Sequence, residues 1–316
     1  MQEAGSSTHT YLVTGAMGCI GAWVLRHLVH AGHRAVAFDL NMKRHRLDAL
    51  LSAEEQASIQ FVEGDLTATS HVQQVVTAHR VSRIIHLAAL QVPFCKADPV
   101  MGARVNVVGT VNVFEAARAA GIHHVAYASS VAVYGPPERY PDGILRDDVL
   151  PHPNTFYGVY KEANEGTARI YWQDHGISSA ALRPYTVYGV GRDQGLTSDP
   201  TKAMLAAARG EAFEIAFSGR MQFQLASDIA RYLIACADGP ADGAHVFNIG
   251  TPPATVEEVV AMIKAVRPDA RVSFVERSLP FPAGFEGADL KAAFPHIQET
   301  PLEEGIRQTI EQFAAG

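Results

Sequence analysis

Cysteine is scarce in this sequence. Only three cysteines, Cys19, Cys95 and Cys236, occur among 316 residues, and they lie far apart. Their spacing fits neither a disulfide framework nor a metal-ligand set, which argues against a small secreted fold held by disulfides. We therefore expect reduced thiols, a cytoplasmic protein and no metal site.

Long apolar runs and an excess of basic residues are also missing. No segment approaches the ~20 apolar residues that a membrane-spanning helix requires. Residues 1–10 lack the basic flank and the apolar core of a signal peptide, so we expect no secretory leader. The formal net charge of -7 argues against a nucleic-acid or anionic-membrane surface. Small molecules are therefore the expected partners, rather than nucleic acids or membranes.

Hydrophobic residues make up 47% of the chain, which is enough for a large core. In the first half, short apolar runs that predict strands alternate with segments of helical periodicity. The predicted strands are residues 11–14, 35–38, 59–62, 83–87 and 124–128. This alternation predicts an α/β fold, a doubly wound parallel sheet of the Rossmann type, whose ligands bind at the carboxyl ends of the strands.

A glycine-rich turn follows the first predicted strand. Residues 15–21 read Gly-Ala-Met-Gly-Cys-Ile-Gly and lead into an amphipathic helix that ends at Gly32. Strand, glycine turn and helix in this order predict backbone N–H groups that bind a pyrophosphate at the positive end of the helix. A turn without any ligand before a helix would show the same pattern.

The second predicted strand ends in Asp39, 18 residues beyond Gly21. An acidic residue at this point binds the ribose hydroxyls of NAD and repels the 2′-phosphate of NADP. The pattern therefore favours NAD. Lys43, Arg44 and Arg46 follow, and we interpret them as solvated side chains on the next loop and helix.

Tyr157 and Lys161 lie four positions apart in a segment, 157–172, that reads as a helix. Residues at this spacing share one helix face, with ~6 Å of rise between them. A nearby ammonium favours the phenolate and so lowers the pKa of a tyrosine from its ordinary value of ~10. We expect this pair to take a hydroxyl proton while a hydride leaves for a cofactor, although a surface helix has the same spacing.

Ser129 and Ser130 follow the fifth predicted strand. A serine hydroxyl at this edge of the sheet can hydrogen-bond the reacting oxygen of a substrate. A serine at a strand end is also a common turn former or helix cap. Both interpretations of Ser130 stay open at this point.

Taken together, these stretches resemble the extended short-chain dehydrogenases/reductases, the NAD-dependent epimerase/dehydratase family. The matching segments, in family order, are residues 14–21, 64–66, 86–89, 106–110, 129–135, 157–161 and 182–184. The resemblance implies a catalytic triad in which Tyr157 is the acid/base, Lys161 also holds the nicotinamide ribose, and Ser130 orients the reacting oxygen.

The resemblance also implies NAD as the cofactor. It places Asp65 and Leu66 at the adenine, Ala88 near the cofactor backbone and Pro184 near the nicotinamide. The complete set of residues expected to bind the cofactor is Gly15, Met17, Gly18, Cys19, Ile20, Gly21, Asp39, Asp65, Leu66, Leu87, Ala88, Ala89, Asn106, Tyr157, Lys161 and Pro184.

The second half departs from the nucleotide-sugar members of the family. Those members carry an asparagine where this chain has Thr186, and a phosphate-binding arginine where it has Met221. Because a diphosphate without its cationic partners binds poorly, we infer a smaller substrate. A free sugar, a sugar acid or another hydroxy compound fits this inference.

The loop 190–198 is the best candidate for substrate recognition. Arg192 can pair with a substrate carboxylate or a cluster of hydroxyls, although an Arg192–Asp193 surface turn fits equally well. The residues expected to bind the substrate are Gln91, Ser129, Ser130, Tyr157, Thr186 and Arg192.

The main prediction is an NAD-dependent oxidoreductase that oxidises a secondary alcohol of a sugar, a sugar acid or a similar hydroxy compound. Two alternatives stay open: a UDP-sugar 4-epimerase that keeps its NAD, and an NAD(H)-binding redox sensor without turnover. We expect an NAD-binding domain over residues 1–183, joined by about 226–250, and a smaller interleaved substrate lobe formed mostly by 184–316. By analogy with the family, helices 99–120 and 157–172 pair in a homodimer.

Overall fold

The computed structural model describes residues 9–140 and 143–315. The first eight residues, on which part of the expectation of no leader rests, lie outside this described part. The strands are β1 Thr10–Thr14, β2 Arg34–Asp39, β3 Ile59–Glu63, β4 Arg83–His86, β5 His124–Ala128, β6 Ile144–Leu145, β7 Ser178–Arg183, β8 Thr186–Tyr188, β9 Ala212–Ile215, β10 Arg220–Leu225, β11 Ala244–Asn248, β12 Pro253–Thr255, β13 Arg271–Phe274 and β14 Gly284–Phe285.

The helices are α1 Cys19–His30, α2 His45–Asp48, α3 Ala53–Gln56, α4 Thr69–Ala78, α5 Val92–Ala97, α6 Pro99–Ala103, α7 Gly109–Ala119, α8 Phe156–His175, α9 Asp199–Arg209, α10 Ala226–Asp238, α11 Val256–Val266, α12 Ala288–Ala293 and α13 Leu302–Ala315. A π-helical turn, Arg104–Val108, joins α6 to α7. Within the described residues, no helix is both long and apolar enough to cross a membrane.

A seven-stranded sheet organises the chain. Its strand order is β11-β7-β5-β4-β1-β2-β3, and every neighbouring pair is parallel. The order runs outward in both directions from β1 and β4, so the loops after these strands diverge and leave a crevice at their carboxyl ends. The predicted doubly wound parallel sheet is confirmed.

Side chains of the central strand β1 alternate between two cores. Tyr11 and Val13 pack with α1 and α10 on one face of the sheet, whereas Leu12 packs with α4, α7 and α8 on the other. Because successive side chains of a strand point to opposite faces, a continuous apolar run covers both sides of a buried parallel sheet. This explains why β1 shows no polar alternation.

The remaining strands, β6, β8–β10 and β12–β14, form a second lobe with α9, α11 and α13. Its three-stranded sheet has the order β12-β10-β8, and it has a separate apolar core. The chain returns from this lobe to the large sheet through α10 and β11, which pack against α1 and pair with β7. The lobe is therefore interleaved with the large sheet in the sequence.

The predicted helix 99–120 differs in one respect from the structure, because the π-helical turn interrupts it. That turn carries Asn106, whose side chain accepts a hydrogen bond from Leu90 N at 2.7 Å and donates one to Leu90 O at 2.9 Å. The extra residue of a π turn lets this amide reach the loop after β4.

Candidate active site

A cavity of about 750 Å³ opens along the carboxyl ends of the central strands. The loops that follow β1, β4, β5 and β7 form its wall on the side of the large sheet, and residues 191–197 and 280–281 of the second half border it from the other side. This is the edge at which parallel α/β sheets bind ligands.

Helix α8 begins against this edge. The side chain of Thr155 caps the helix by accepting a hydrogen bond from Gly158 N at 3.0 Å. A Cβ atom on Gly158 would lie 2.3 Å from the carbonyl oxygen of Ala132. The glycine therefore allows the first turn of α8 to lie directly on the backbone that follows Ser130.

This contact brings the three predicted catalytic residues together on the cavity wall. Lys161 Nζ lies 5.7 Å from the centre of the Tyr157 ring and donates a hydrogen bond to Ala128 O at 2.6 Å. Ser130 Oγ accepts a hydrogen bond from Ala132 N at 3.1 Å, so this serine caps the following turn while it lines the cavity. The capping and the functional interpretations of Ser130 are therefore compatible.

Burial governs the protonation of the pair. It raises the pKa of the Tyr157 phenol, while the hydrogen bond from Ser130 and the charge of Arg192 lower it. Burial also lowers the pKa of the Lys161 ammonium to about 8. The loss of water around a phenolate outweighs the groups that lower the pKa of Tyr157. Lys161 is not one of those groups, so the expected lowering of this pKa by Lys161 is not found.

The glycine turn has the shape that a dinucleotide requires. Gly15 has a φ of +67°, and a Cβ atom there would lie 2.6 Å from Ala88 N. A Cβ atom on Gly21 would lie 2.4 Å from Gly15 O. Helix α1 has no side-chain cap at Gly18, so its first N–H groups are available to an anion such as a pyrophosphate. These residues fit NAD.

Two carboxylates line the cavity on the side of β2 and β3. Asp39 accepts a hydrogen bond from Met17 N at 2.9 Å, which joins the end of β2 to the glycine turn. Asp65 accepts one from Thr67 N at 2.8 Å. Asp39 therefore lies beside the turn, as a ribose-binding carboxylate must.

Asn106 is the one predicted cofactor residue that does not line the cavity. It is 1% exposed, and its amide holds the backbone of Leu90. The structure therefore places it behind the loop that carries Gln91, where it orients the cavity wall without touching the cavity.

Thr186 is the one predicted substrate residue that does not line the cavity. It is fully buried, and its hydroxyl contacts the sulfur of Met221 at 3.3 Å. Its neighbours Tyr185 and Val187 line the cavity, and successive side chains of a strand alternate between faces. The two positions at which the chain departs from the nucleotide-sugar pattern thus lie in contact with each other in the core of the second lobe.

Gln91, Ser129 and Arg192 line the cavity as expected. The hydroxyl of Ser129 is engaged with Glu165 Oε1 at 2.5 Å. Arg192 Nε is buried and has no hydrogen-bond partner, and one of its terminal nitrogens lies 3.4 Å from Thr197 Oγ1. The guanidinium of Arg192 therefore retains donor capacity beside the cavity.

Arg46 is a cavity residue that the sequence interpretation missed. Its side chain is 15% exposed, pairs with Asp193 at 2.7 Å and donates to Met17 O at 2.8 Å. His45 also bonds to Asp193, at 3.0 Å. The interpretation of Arg46 as a solvated side chain is wrong, because Arg46 and Asp193 join the glycine turn to the loop 190–198. No signal in the sequence links two residues so far apart.

The sequence profile of the NAD dependent epimerase/dehydratase family matches residues 11–250. The chain belongs to this family. It is therefore an NAD-dependent enzyme of the extended short-chain dehydrogenase/reductase type, and the redox-sensor alternative loses its support.

The chain is similar to an epimerase and to a UDP-glucose complex, and it shares its fold with a dehydrogenase. A UDP-glucose 4-epimerase from Mycolicibacterium smegmatis is 32% identical over 246 residues, which are 76% of this chain and 76% of that protein. A solved structure of MoeE5 in complex with UDP-glucose and NAD is 29% identical, with a TM-score of 0.80 over 96% of this chain and 98% of that one. A partial consensus L-threonine 3-dehydrogenase shares the fold, with 22% identity and a TM-score of 0.85 over 97% of this chain and 100% of that one.

Substitution of Gly15 tests the cofactor site. Gly15→Ala places a methyl group against Ala88 N, so the turn must shift and NAD binding should weaken at least about tenfold, or ~1.4 kcal/mol. Gly121→Ala is a matched control, because Gly121 has a φ of +68° and its Cβ position has no neighbour within 4 Å. Calorimetric titration with NAD measures both variants. Equal affinities in the two variants would show that the turn does not bind the cofactor.

Proposed function

We propose that this chain oxidises a secondary alcohol of a small hydroxy compound, such as a free sugar or a sugar acid, with NAD as the hydride acceptor. The proposal rests on one observation: Tyr157, Lys161 and Ser130 line the same cavity as the glycine turn. This arrangement joins a proton acceptor, a cation and a hydroxyl donor to a dinucleotide site.

Tyr157, Lys161 and Ser130 each have a separate role in the proposed reaction. Tyr157, as the phenolate, takes the proton of the substrate hydroxyl. The ammonium of Lys161, 5.7 Å from the ring centre, is a cation beside it. Ser130 donates a hydrogen bond to the oxygen as it becomes a carbonyl. Bound NAD supplies a positively charged ring that accepts the hydride.

The charges of the second lobe support a small substrate. Among the described residues that line the cavity from 184 onward, Arg192 is the single cation. Arg220 is exposed and donates to Pro253 O, and Met221 is buried in the apolar core of the lobe. A diphosphate would therefore meet one guanidinium from this lobe, whereas a carboxylate or a group of hydroxyls needs no more than one.

A nucleotide-sugar 4-epimerase is the second candidate. The relatives named UDP-glucose 4-epimerase and the MoeE5 complex with UDP-glucose favour it. In that reaction the same Tyr157 and Lys161 act, but the hydride returns to the opposite face of the sugar and the cofactor stays bound. The two candidates share the proton chemistry and differ in the substrate and in the fate of NADH.

Removal of the phenol hydroxyl tests the acid/base assignment. Tyr157→Phe should lower turnover by about 10²–10⁴-fold and leave NAD binding intact, because only the proton acceptor is lost. Tyr160→Phe is the matched control, since the Tyr160 hydroxyl bonds to Pro99 O, on the neighbouring helix. Steady-state rates of both variants are measured with a substrate that the wild-type protein converts. Unchanged turnover in Tyr157→Phe would refute the acid/base assignment.

A substrate panel separates the two candidate reactions. Purified protein is incubated with NAD and with free sugars, sugar acids and UDP-sugars, and absorbance reports NADH while chromatography reports products. A dehydrogenase accumulates NADH in step with its oxidised product. A UDP-sugar that changes configuration without net NADH would reject the dehydrogenase in favour of the epimerase.

Two arginines of the second half test the substrate class. Arg192→Met should raise KM for a carboxylate-bearing substrate about 10–100-fold, because a charge-assisted hydrogen bond contributes roughly 1.5–3 kcal/mol. Arg220→Met should leave KM unchanged. A UDP-sugar whose KM rises with Arg220→Met but not with Arg192→Met would contradict the small-substrate proposal.

We further propose that residues 1–183, with about 226–250, form the NAD-binding domain, and that the rest of 184–316 binds the substrate. The topology supports this division, because β11 is a strand of the large sheet and α10 packs against that sheet. The three cysteines are all free thiols, which supports a cytoplasmic location.

A homodimer through α6, α7 and α8 belongs to the same proposal. Apolar side chains on α6, on the π-helical turn and on α8 are exposed: Val100, Met101, Val108, Phe156, Val159 and Ile170. Exposed apolar surface is typical of protein interfaces. Sedimentation of the purified chain as a monomer at micromolar concentration would count against the dimer.

A further inference from the structure

A buried ion pair lies directly behind the catalytic residues. Arg183 donates to both carboxylate oxygens of Glu165, at 2.9 and 2.7 Å, and the two side chains are 4% and 10% exposed. Burial of two charges is costly, and such a pair is weak evidence for a stabilising role. Arg183 belongs to the Leu182-Arg183-Pro184 segment, and the reaction described above does not use it.

The pair is anchored at the end of β5. Ser129 Oγ donates to Glu165 Oε1 at 2.5 Å, and Ser129 N donates to Leu182 O at 2.7 Å. The carboxylate of Glu165 therefore joins α8, β7 and the residue before Ser130. Arg183 cannot follow a displaced carboxylate, because its remaining nitrogen is held by the hydroxyl of Tyr134 and by Asp147 O at 3.1 Å.

Lys161 lies one turn before Glu165 on the same face of α8. Its ammonium donates to the carbonyl of Ala128 and lies near the ring of Tyr157, and it interacts electrostatically with Cys95 and His86. Burial and the charge of Lys161 lower the pKa of His86 to about 3, and burial raises the pKa of the Cys95 thiol, so both are neutral at pH 7. Against burial, the pKa of Lys161 is raised by Cys95 and then by the carboxylate of Glu165. Because the Cys95 thiol is neutral at pH 7, Glu165 supplies the negative charge that acts on Lys161 at this pH.

The groups that face Glu165 from other elements do not replace this role. Tyr127 on β5 is buried and unpaired at its hydroxyl, and both burial and the charge of Glu165 raise its pKa, so it stays neutral. Arg183 on β7 is the cationic partner, and Ser129 is a neutral donor. The negative charge beside Lys161 therefore comes from one carboxylate with a fixed position.

We propose that Glu165, held in place by Arg183, is a positioning residue that keeps Lys161 in its ammonium form and fixes the end of β5 through Ser129. The proposal rests on the proposed role of Lys161 in the reaction. Because Lys161 is buried, its charged form needs a compensating charge, and Glu165 supplies it without reaching the substrate. Arg183 prevents the carboxylate from turning toward the ammonium and forming a direct pair with it.

The titration of Lys161 tests the proposal without any substrate. Lysine labelled with ¹³C at Cε reports each amine by NMR, and the signal that disappears in Lys161→Met identifies Lys161. In Glu165→Gln we expect the midpoint of the Lys161 titration to fall by about one pH unit from its wild-type value, because a nearby opposite charge is removed. Glu162→Gln, one residue after Lys161 on the same helix, is the control and should leave the midpoint unchanged. An unchanged midpoint in folded Glu165→Gln would overturn the proposal.

The pH profile of turnover gives a second measurement once a substrate is known. The fall of kcat/KM at alkaline pH should move to lower pH in Glu165→Gln by the same amount as the NMR midpoint. A residue that acted as scaffold alone would lower kcat/KM at every pH and leave the position of this limb unchanged. If the NMR midpoint moves but the limb does not, Lys161 has been assigned the wrong chemical role, and the proposed function fails instead of the positioning contact.

A second variant covers a failure of Glu165→Gln to fold. Glu165→Gln combined with Arg183→Met removes both charges, so no unpaired guanidinium remains in the interior. Circular dichroism and thermal melting establish which variants fold. The midpoint of Lys161 should fall in the double variant as well. Loss of folding in both variants would show that the pair acts as a structural element and would reject the positioning role.

Discussion

The first turn of α8 lies on the backbone that follows β5, and the geometry of the cavity depends on this contact. Gly158 makes the approach sterically feasible, because any larger side chain would meet the carbonyl of Ala132. The ammonium of Lys161 then reaches the carbonyl of Ala128, and Tyr157 and Ser130 come to the same wall. Helix and strand end are thus held as one unit, and the reactive groups need no further loop to bring them together.

Burial has opposite consequences for the two groups of this unit. It raises the pKa of the Tyr157 phenol and lowers that of the Lys161 ammonium to about 8, since each charged form loses contact with water. Both shifts favour the neutral pair, which is the less reactive state. The Ser130 hydrogen bond and the charges of Arg192 and Glu165 oppose these shifts. These polar groups reduce the effect of burial on the two pKa values without reversing it.

The second lobe contributes to the site through short contacts rather than through its core. Arg46 and Asp193 join the glycine turn to the loop 190–198, and Trp23 Nε1 donates to Val190 O at 2.9 Å. These contacts place Arg192 beside the cavity. By contrast, Thr186 and Met221 serve the packing of the lobe. The loop 190–198 is therefore held in place by residues of α1 and α2.

Much of this architecture follows from local pattern. The apolar runs, the glycine turn, Asp39 and the spacing of Tyr157 and Lys161 are properties of short segments, and the covalent chain with its backbone sterics largely determines their conformation. The parallel sheet follows from the alternation of strands and helices. For this reason the fold could be predicted from the sequence by itself, and all but one of the predicted cofactor residues line the cavity.

Only the tertiary structure decided the rest, because it depends on groups that are distant in the chain. Four contacts each join residues from different elements. They are the hydrogen bonds of Asn106 with Leu90, the contact of Thr186 with Met221, the ion pair of Arg46 with Asp193, and the cluster of Glu165, Arg183 and Ser129. The protonation states of Tyr157 and Lys161 also depend on the tertiary structure. The ionisation of Tyr157 and Lys161 depends on how much water the folded chain excludes, and spacing in a sequence carries no information about solvent.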